Sequence, residues 1–184
     1  MGKSTTAEMF RARGIPVWDA DACVAQLYAR GGAAVEPMSE KLPSAIADGA
    51  IDREALKMLI SADPDVLQQI EAIVHPLVAQ DRALFLKAHE ADSVVLLDVP
   101  LLFETGLDQM IDKSVVVSVS EDTQRQRLLD RGSMSDATIK MILAKQMPDT
   151  EKRKRADYII ETYSLEDAQS AVDDIIEELT QTYA

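Results

Sequence analysis

One cysteine in 184 residues, Cys23, rules out an internal disulfide framework and any zinc site built on thiolates. Its neighbours Ala22, Ala25 and Leu27 suit a small buried side chain, so burial is expected ahead of catalysis. Positive charge is scarce as well: 19 Lys and Arg stand against 32 Asp and Glu, a formal charge of −13. Proteins that draw affinity from nucleic-acid phosphates present a basic face, and this balance argues against one, so no nucleic-acid partner is expected. No apolar run approaches the roughly 18–20 residues that a bilayer crossing requires, and the N-terminus lacks a charged stretch followed by an apolar one. No membrane partner is expected, and the cytoplasm is the expected location. Repeats, low-complexity tracts and long linkers are missing too, and Gly31-Gly32 is the only glycine pair.

What the chain does have is 47% hydrophobic residues, ample for one domain, or for one core with a helical insertion. It opens Met1-Gly2-Lys3-Ser4-Thr5, the second half of a phosphate-binding loop of the form G-x-x-x-x-G-K-[ST]. In such a loop backbone N–H groups wrap the β-phosphate, the Lys reaches the β- and γ-phosphates, and the hydroxyl binds Mg²⁺. The same tetrapeptide also serves as an ordinary helix start, with Ser4 or Thr5 capping the turn. Ala7, Met9, Phe10 and Ala12 then supply an apolar helical face, Gly14 stops it, and Ile15-Pro16-Val17-Trp18 reads as a short strand. Helix, glycine and strand is the order expected after a phosphate loop.

Residues 20–90 read as helices broken at Gly31-Gly32, Pro43, Gly49 and Pro64, an all-helical insertion with apolar spacing at Val66, Leu67, Ile70, Ile73 and Val74. His75-Pro76 is expected to end one helix and start another, because the residue before a proline is pushed out of the helical region. Ser93–Val99 and Ser114–Val119 are apolar enough to be strands buried on both faces, as parallel sheets require. Helices over Glu121–Arg131 and Ser135–Gln146, a strand at Tyr158–Ile160 and a final amphipathic helix from Leu165 to about Thr180 complete an α/β pattern.

Three places carry chemistry. Asp19-Ala20-Asp21 lies at the carboxyl end of a strand, where open α/β sheets place their ligands; either carboxylate can accept a proton from a hydroxyl, or cap the next helix. Val99-Pro100-Leu101-Leu102-Phe103-Glu104 leaves the next strand at the same edge, either lining an acceptor pocket or packing into the core. Arg125, Arg127, Arg131, Lys140, Lys145 and the run Lys152-Arg153-Lys154-Arg155 stand out against the acidic background. They suit an anionic ligand as a cluster, or a solvated helix face paired with Glu151 and its neighbours.

Taken together, Gly2-Lys3-Ser4-Thr5, Asp19-Ala20-Asp21, Ile73-Val74-His75-Pro76-Leu77, Val99–Glu104, Gln146-Met147-Pro148, Lys152 and Ala156-Asp157-Tyr158-Ile159-Ile160 occur in an order and spacing that resembles the dephospho-coenzyme A kinases. The resemblance implies a P-loop kinase-like parallel sheet flanked by helices, with a nucleotide-binding core over 1–19 and 93–184, a lid over about 125–155 and a helical acceptor-binding insertion over 20–92. It implies ATP and dephospho-coenzyme A as partners and Mg²⁺ as cofactor. Asp21 would be the general base, and Lys3 would neutralise the transferring group. Gly2, Lys3, Ser4, Thr5 and Arg131 would bind ATP, with Ser4 also on the metal. His75, Leu101 and Glu104 would line the acceptor side.

Two departures from the family pattern are visible. Glu161-Thr162-Tyr163-Ser164 stands where the family carries an Asn-Gly-type turn near the adenine. The family's first strand and the front of its phosphate loop, together about ten residues, are expected upstream, since that strand lies mid-sheet between those matching Val94–Val99 and Val115–Val119. The alternatives are another small-molecule P-loop kinase and an inactive nucleotide-pocket protein with a binding or structural role.

Overall fold

The computed structural model describes residues 2–130 and 146–183. The fold is α/β, and the chain divides into two compact units, Met1–Val17 with Asp98–Ala184, and Trp18–Leu97.

In the first unit, helix α1 (Lys3–Ala12) buries Thr6, Ala7, Met9 and Phe10, a helical stripe. Gly14 follows with φ 82°, the left-handed stop expected after a helix. α1 packs on the last helix, which begins at Leu165 and ends at Tyr183 and buries Ala168, Val172 and Ile175 one or two turns apart. The Arg13 guanidinium, just past α1, ties the two by an ion pair with Asp173 and by donating to the Met9 carbonyl at 3.1 Å. The strands Val115–Ser118 and Tyr158–Glu161 of the same unit pair in parallel, with Val115 opposite Tyr158 and Ser118 opposite Glu161. Asp157 fixes that register. Its carboxylate accepts from both the backbone N–H and the hydroxyl of Ser114 at 2.8 Å, one residue before the first strand. Those two bonds, with burial opposing and Lys113 assisting, hold the Asp157 carboxyl below the usual range. A short helix, Asp149–Arg155, packs beside the first of these strands.

In the second unit, α2 (Ala20–Tyr28) starts at Asp19, whose carboxylate accepts from the Ala22 N–H at 2.9 Å. α3 (Val35–Lys41) and α4 (Arg53–Ala62) follow, then α5 (Asp65–Ala88). Their shared core holds Ala34, Met38, Leu42, Ala45, Ile51, Leu56, Val66, Ile70 and Val74.

Two expectations for this unit are corrected. The insertion is not all helical: Ile46–Ala47 and Ala50–Ile51 form an antiparallel hairpin. Its turn residues Asp48 and Gly49 have φ 52° and 76°, the left-handed pair that a two-residue hairpin demands. His75-Pro76 does not divide two helices either, since α5 runs unbroken from Asp65 to Ala88 with Pro76 inside it. Val66, Ile70 and Val74 are buried on one face, and their packing outweighs the hydrogen bond that Pro76 cannot donate to Ala72.

The strands Val17–Asp19 and Leu96–Asp98 also pair. Among the described residues the strands pair two by two, and Val115–Ser118 with Tyr158–Glu161 shows the parallel pairing expected. Pro16 delays the first strand to Val17, because a proline nitrogen cannot join a ladder.

Candidate active site

Gly2 stands at the N-cap of α1 with φ 97°, a conformation that glycine adopts freely and other residues rarely. From there the N-terminal N–H groups of a ten-residue helix open outward, the arrangement that receives phosphate. Lys3 and Ser4 follow at once, and Ser4 and Thr5 are exposed. The Lys3 ammonium forms an ion pair with Asp98, whose side chain is only 4% exposed. A carboxylate that deep is stable only when paired, so Asp98 fixes the reach of Lys3. Asp98 is a site residue to which the motifs by themselves assign no role. Its signal was present: it is the one charge in the apolar run Val94–Val99, and a lone acid in a buried strand has to meet a cation.

Beside Gly2 lies a cavity of about 350 Å³ lined by Gly2, Thr6, Met9, Arg127, Thr162 and Leu165 among others. Arg127 donates to the Thr162 hydroxyl at 3.0 Å and to its carbonyl at 2.6 Å, which joins the helix Glu121–Asp130 to the end of the strand Tyr158–Glu161. Thr162, Tyr163 and Ser164, within the segment that departs from the family pattern, form part of the cavity wall.

Glu104 is held by two donors, the Lys152 ammonium at 2.9 Å and the Met147 N–H at 2.8 Å. Burial raises its carboxyl, and these two bonds more than offset that, so it titrates below the ordinary range. The rest of the basic run is also paired. Arg153 reaches Glu161 at 2.9 Å and the Ser118 hydroxyl at 3.1 Å, Lys154 reaches Glu151 at 2.7 Å, and Arg155 reaches Asp108 at 2.7 Å. Leu101 is 38% exposed and Phe103 is buried under the Arg155 guanidinium. Arg131, Lys140 and Lys145 lie outside the described residues, as does the side chain of Arg125.

Asp21 and His75 belong to the helical unit. Asp19 takes the capping role there, which leaves Asp21, in the first turn of α2, exposed and without a side-chain hydrogen bond among the described residues. His75 is exposed on α5.

The comparisons with known proteins agree with one another. The sequence model of the dephospho-CoA kinase family matches residues 1–167. A dephospho-CoA kinase of Jannaschia sp. is 53% identical over 98% of this chain and 93% of its own length, and one of Cereibacter sphaeroides is 50% identical over 99% and 92%. A Thermus thermophilus crystal structure superposes with a TM-score of 0.80 at 33% identity, covering 97% of this chain and 92% of that one. A dephospho-CoA kinase from Campylobacter jejuni shares the fold, with a TM-score of 0.73 at 22% identity over 100% and 94%. A phosphate-receiving helix start, a lysine fixed by a buried aspartate and a nearly full-length match to these relatives lead to one conclusion: the chain belongs to the dephospho-CoA kinase family.

Proposed function

We propose that this chain transfers the γ-phosphoryl group of ATP to the ribose 3′-hydroxyl of dephospho-coenzyme A, giving coenzyme A and ADP. The observation that carries the proposal is the Gly2-Lys3-Ser4 start of α1 with Lys3 paired to Asp98, in a chain of this family. In the step itself the 3′-oxygen forms a bond to the γ-phosphorus, the bond from that phosphorus to the β,γ-bridging oxygen breaks, and Asp21 takes the hydroxyl proton. Lys3 neutralises charge on the transferring group, and the α1 N–H groups hold the β-phosphate, so catalysis is mainly positioning and electrostatics. The cavity beside Gly2 takes the adenine, with Arg127 and Thr162 at its wall. Arg131 reaches ATP from a lid over about 125–155, and the helical insertion over 20–92 holds the acceptor.

His75 and Leu101 line the acceptor side. Glu104 serves the same side through its bonds to Lys152 and Met147, which hold this end of the lid against Val99–Glu104. Among the described residues no three His, Cys, Asp or Glu side chains converge as a ready cation site. That sparseness fits Mg²⁺, which typically takes only one or two protein oxygens and leaves its other places to phosphates and water. Ser4 and Asp98 would hold it, and it would supply charge neutralisation on the β- and γ-phosphate oxygens. Both substrates are water-borne anions, which suits work in the cytoplasm.

Turnover measured against a panel of hydroxyl acceptors tests the proposal. Dephospho-coenzyme A should be preferred, with no rate when Mg²⁺ is chelated. Equal or faster rates with an unrelated nucleoside or a small alcohol would point to another small-molecule kinase.

A further inference from the structure

The strand that ends at Asp19 and the helix α2 that follows carry Asp21 on their corner, and one side chain from α5 grips that corner from below. Asp81 accepts a hydrogen bond from the indole Nε1 of Trp18 at 2.6 Å. Trp18 is buried at 5% exposure, three residues before Asp21. The carboxylate of Asp81 also lies near the thiol of Cys23, two residues after Asp21 and likewise buried. Burial first and the neighbouring Asp81 carboxylate second push the Cys23 thiol up to about 12, so it stays protonated. Asp21 itself has no hydrogen bond to hold it among the described residues, so its placement depends on the backbone on either side.

We infer that Asp81 is a positioning residue for phosphoryl transfer: through Trp18 and Cys23 it fixes the corner between the first strand and α2, and with it the carboxylate of Asp21. The inference rests on Asp21 being the base. Neither Trp18 nor Cys23 has chemistry of its own in the reaction, and a buried indole N–H and a buried carboxylate are costly to leave unpaired. Small displacements of a reacting group have large effects on rate, which is how a residue below the corner would act on turnover.

The test uses the whole chain with Asp81→Leu, Asp81→Asn, Trp18→Phe and the Trp18→Phe/Asp81→Leu double variant, with Asp21→Asn as the reference for loss of the base. Trp18 is the only tryptophan, so its emission reports the indole contact directly, apart from activity. Asp81→Leu should shift that emission and lower kcat by about 10- to 100-fold, with the KM for ATP unchanged. Asp81→Asn keeps an oxygen that accepts from Nε1 and should recover most of the rate. Trp18→Phe removes the indole contact alone and should lose no more than Asp81→Leu, and the double variant should be no slower than Asp81→Leu, because the contact that Trp18→Phe removes is already gone there.

A folded Asp81→Leu with the wild-type kcat, an Asn variant as damaged as Leu, or additive losses in the double variant would each overturn the inference. Should Asp81→Leu fail to fold, Trp18→Phe and Asp81→Asn decide it alone. Asp21→Asn keeps the two failures apart. A crippled Asp21→Asn beside an active Asp81→Leu removes only the positioning role, whereas an active Asp21→Asn removes the base and its positioning together.

Discussion

At the scale of single residues, the reaction depends on a few charges whose neighbours decide what they can do. Among the described residues the Lys3 ammonium pairs with Asp98, and Asp98 is buried where water cannot substitute for the ammonium. Asp98→Asn removes that charge while keeping the shape. It should lower kcat by about 10² or more, because the lysine loses its aim and, in the proposed metal site, Mg²⁺ would lose a ligand. It should also raise the Mg²⁺ concentration for half-maximal rate, and leave the KM for the acceptor nearly unchanged. A Mg²⁺ titration at saturating substrates checks both, and an unchanged Mg²⁺ requirement would take Asp98 out of the metal site. Asp21→Asn should cost about 10² to 10⁴ in kcat, the usual size of general-base help. If Asp19→Asn were the more damaging change, the cap and the base would have to exchange roles, although the bond from Asp19 to the Ala22 N–H argues for Asp19 as the cap and Asp21 as the base.

At the scale of elements, α5 is where local preference and packing disagree. Pro76 sits midway along a 24-residue helix, removes the donor for the Ala72 carbonyl and crowds the preceding turn. Pro76→Ala should therefore stabilise the protein by about 1–3 kcal/mol, measured by chemical denaturation. A loss of stability would mean that the helix needs the bend which proline imposes. The same helix shows what local rules can and cannot deliver. The apolar spacing of Val66, Ile70 and Val74 located it, but a dipeptide rule cut it at His75, because the burial that carries the helix through Pro76 comes from α2, α3 and α4. Gly49 is the opposite case. The local signal Asp48-Gly49 was there, a dipeptide that favours a tight hairpin, and it was outweighed by the helical texture of its surroundings. Within the site, Lys3 and Ser4 announced themselves by spacing. The pairings did not, since Lys3 with Asp98, Arg127 with Thr162 and Glu104 with Lys152 each meet across 35 or more positions in the chain.

At the scale of the whole molecule, the acidic balance and the few perturbed groups together set how stability varies with pH. Glu104, Asp157 and Asp173 all titrate below their ordinary ranges, held there by Lys152 and Met147, by Ser114, and by Arg13. A carboxyl depressed in the folded state contributes stability that is fully present above its unfolded pKa, about 3.9 for Asp and 4.3 for Glu, and is lost as pH falls through the folded value. The acid limb should therefore begin below about pH 4.5. Repulsion within a net charge of −13 acts the other way, since protonation relieves it, but those charges are largely exposed and salt screens them. On the alkaline side the sign reverses. Cys23 at about 12 and the raised Tyr28 hydroxyl, both lifted by burial, contribute stability that is complete below their unfolded values and lost as pH rises toward the folded ones. Thermal midpoints at about 0.15 M salt should thus stay level from about pH 5 to 8 and fall on both sides. Cys23→Ala should flatten the upper limb between about pH 8.5 and Tyr28's range without moving the lower one. An alkaline limb that is unchanged in Cys23→Ala would show that the thiol is not held neutral beside Asp81.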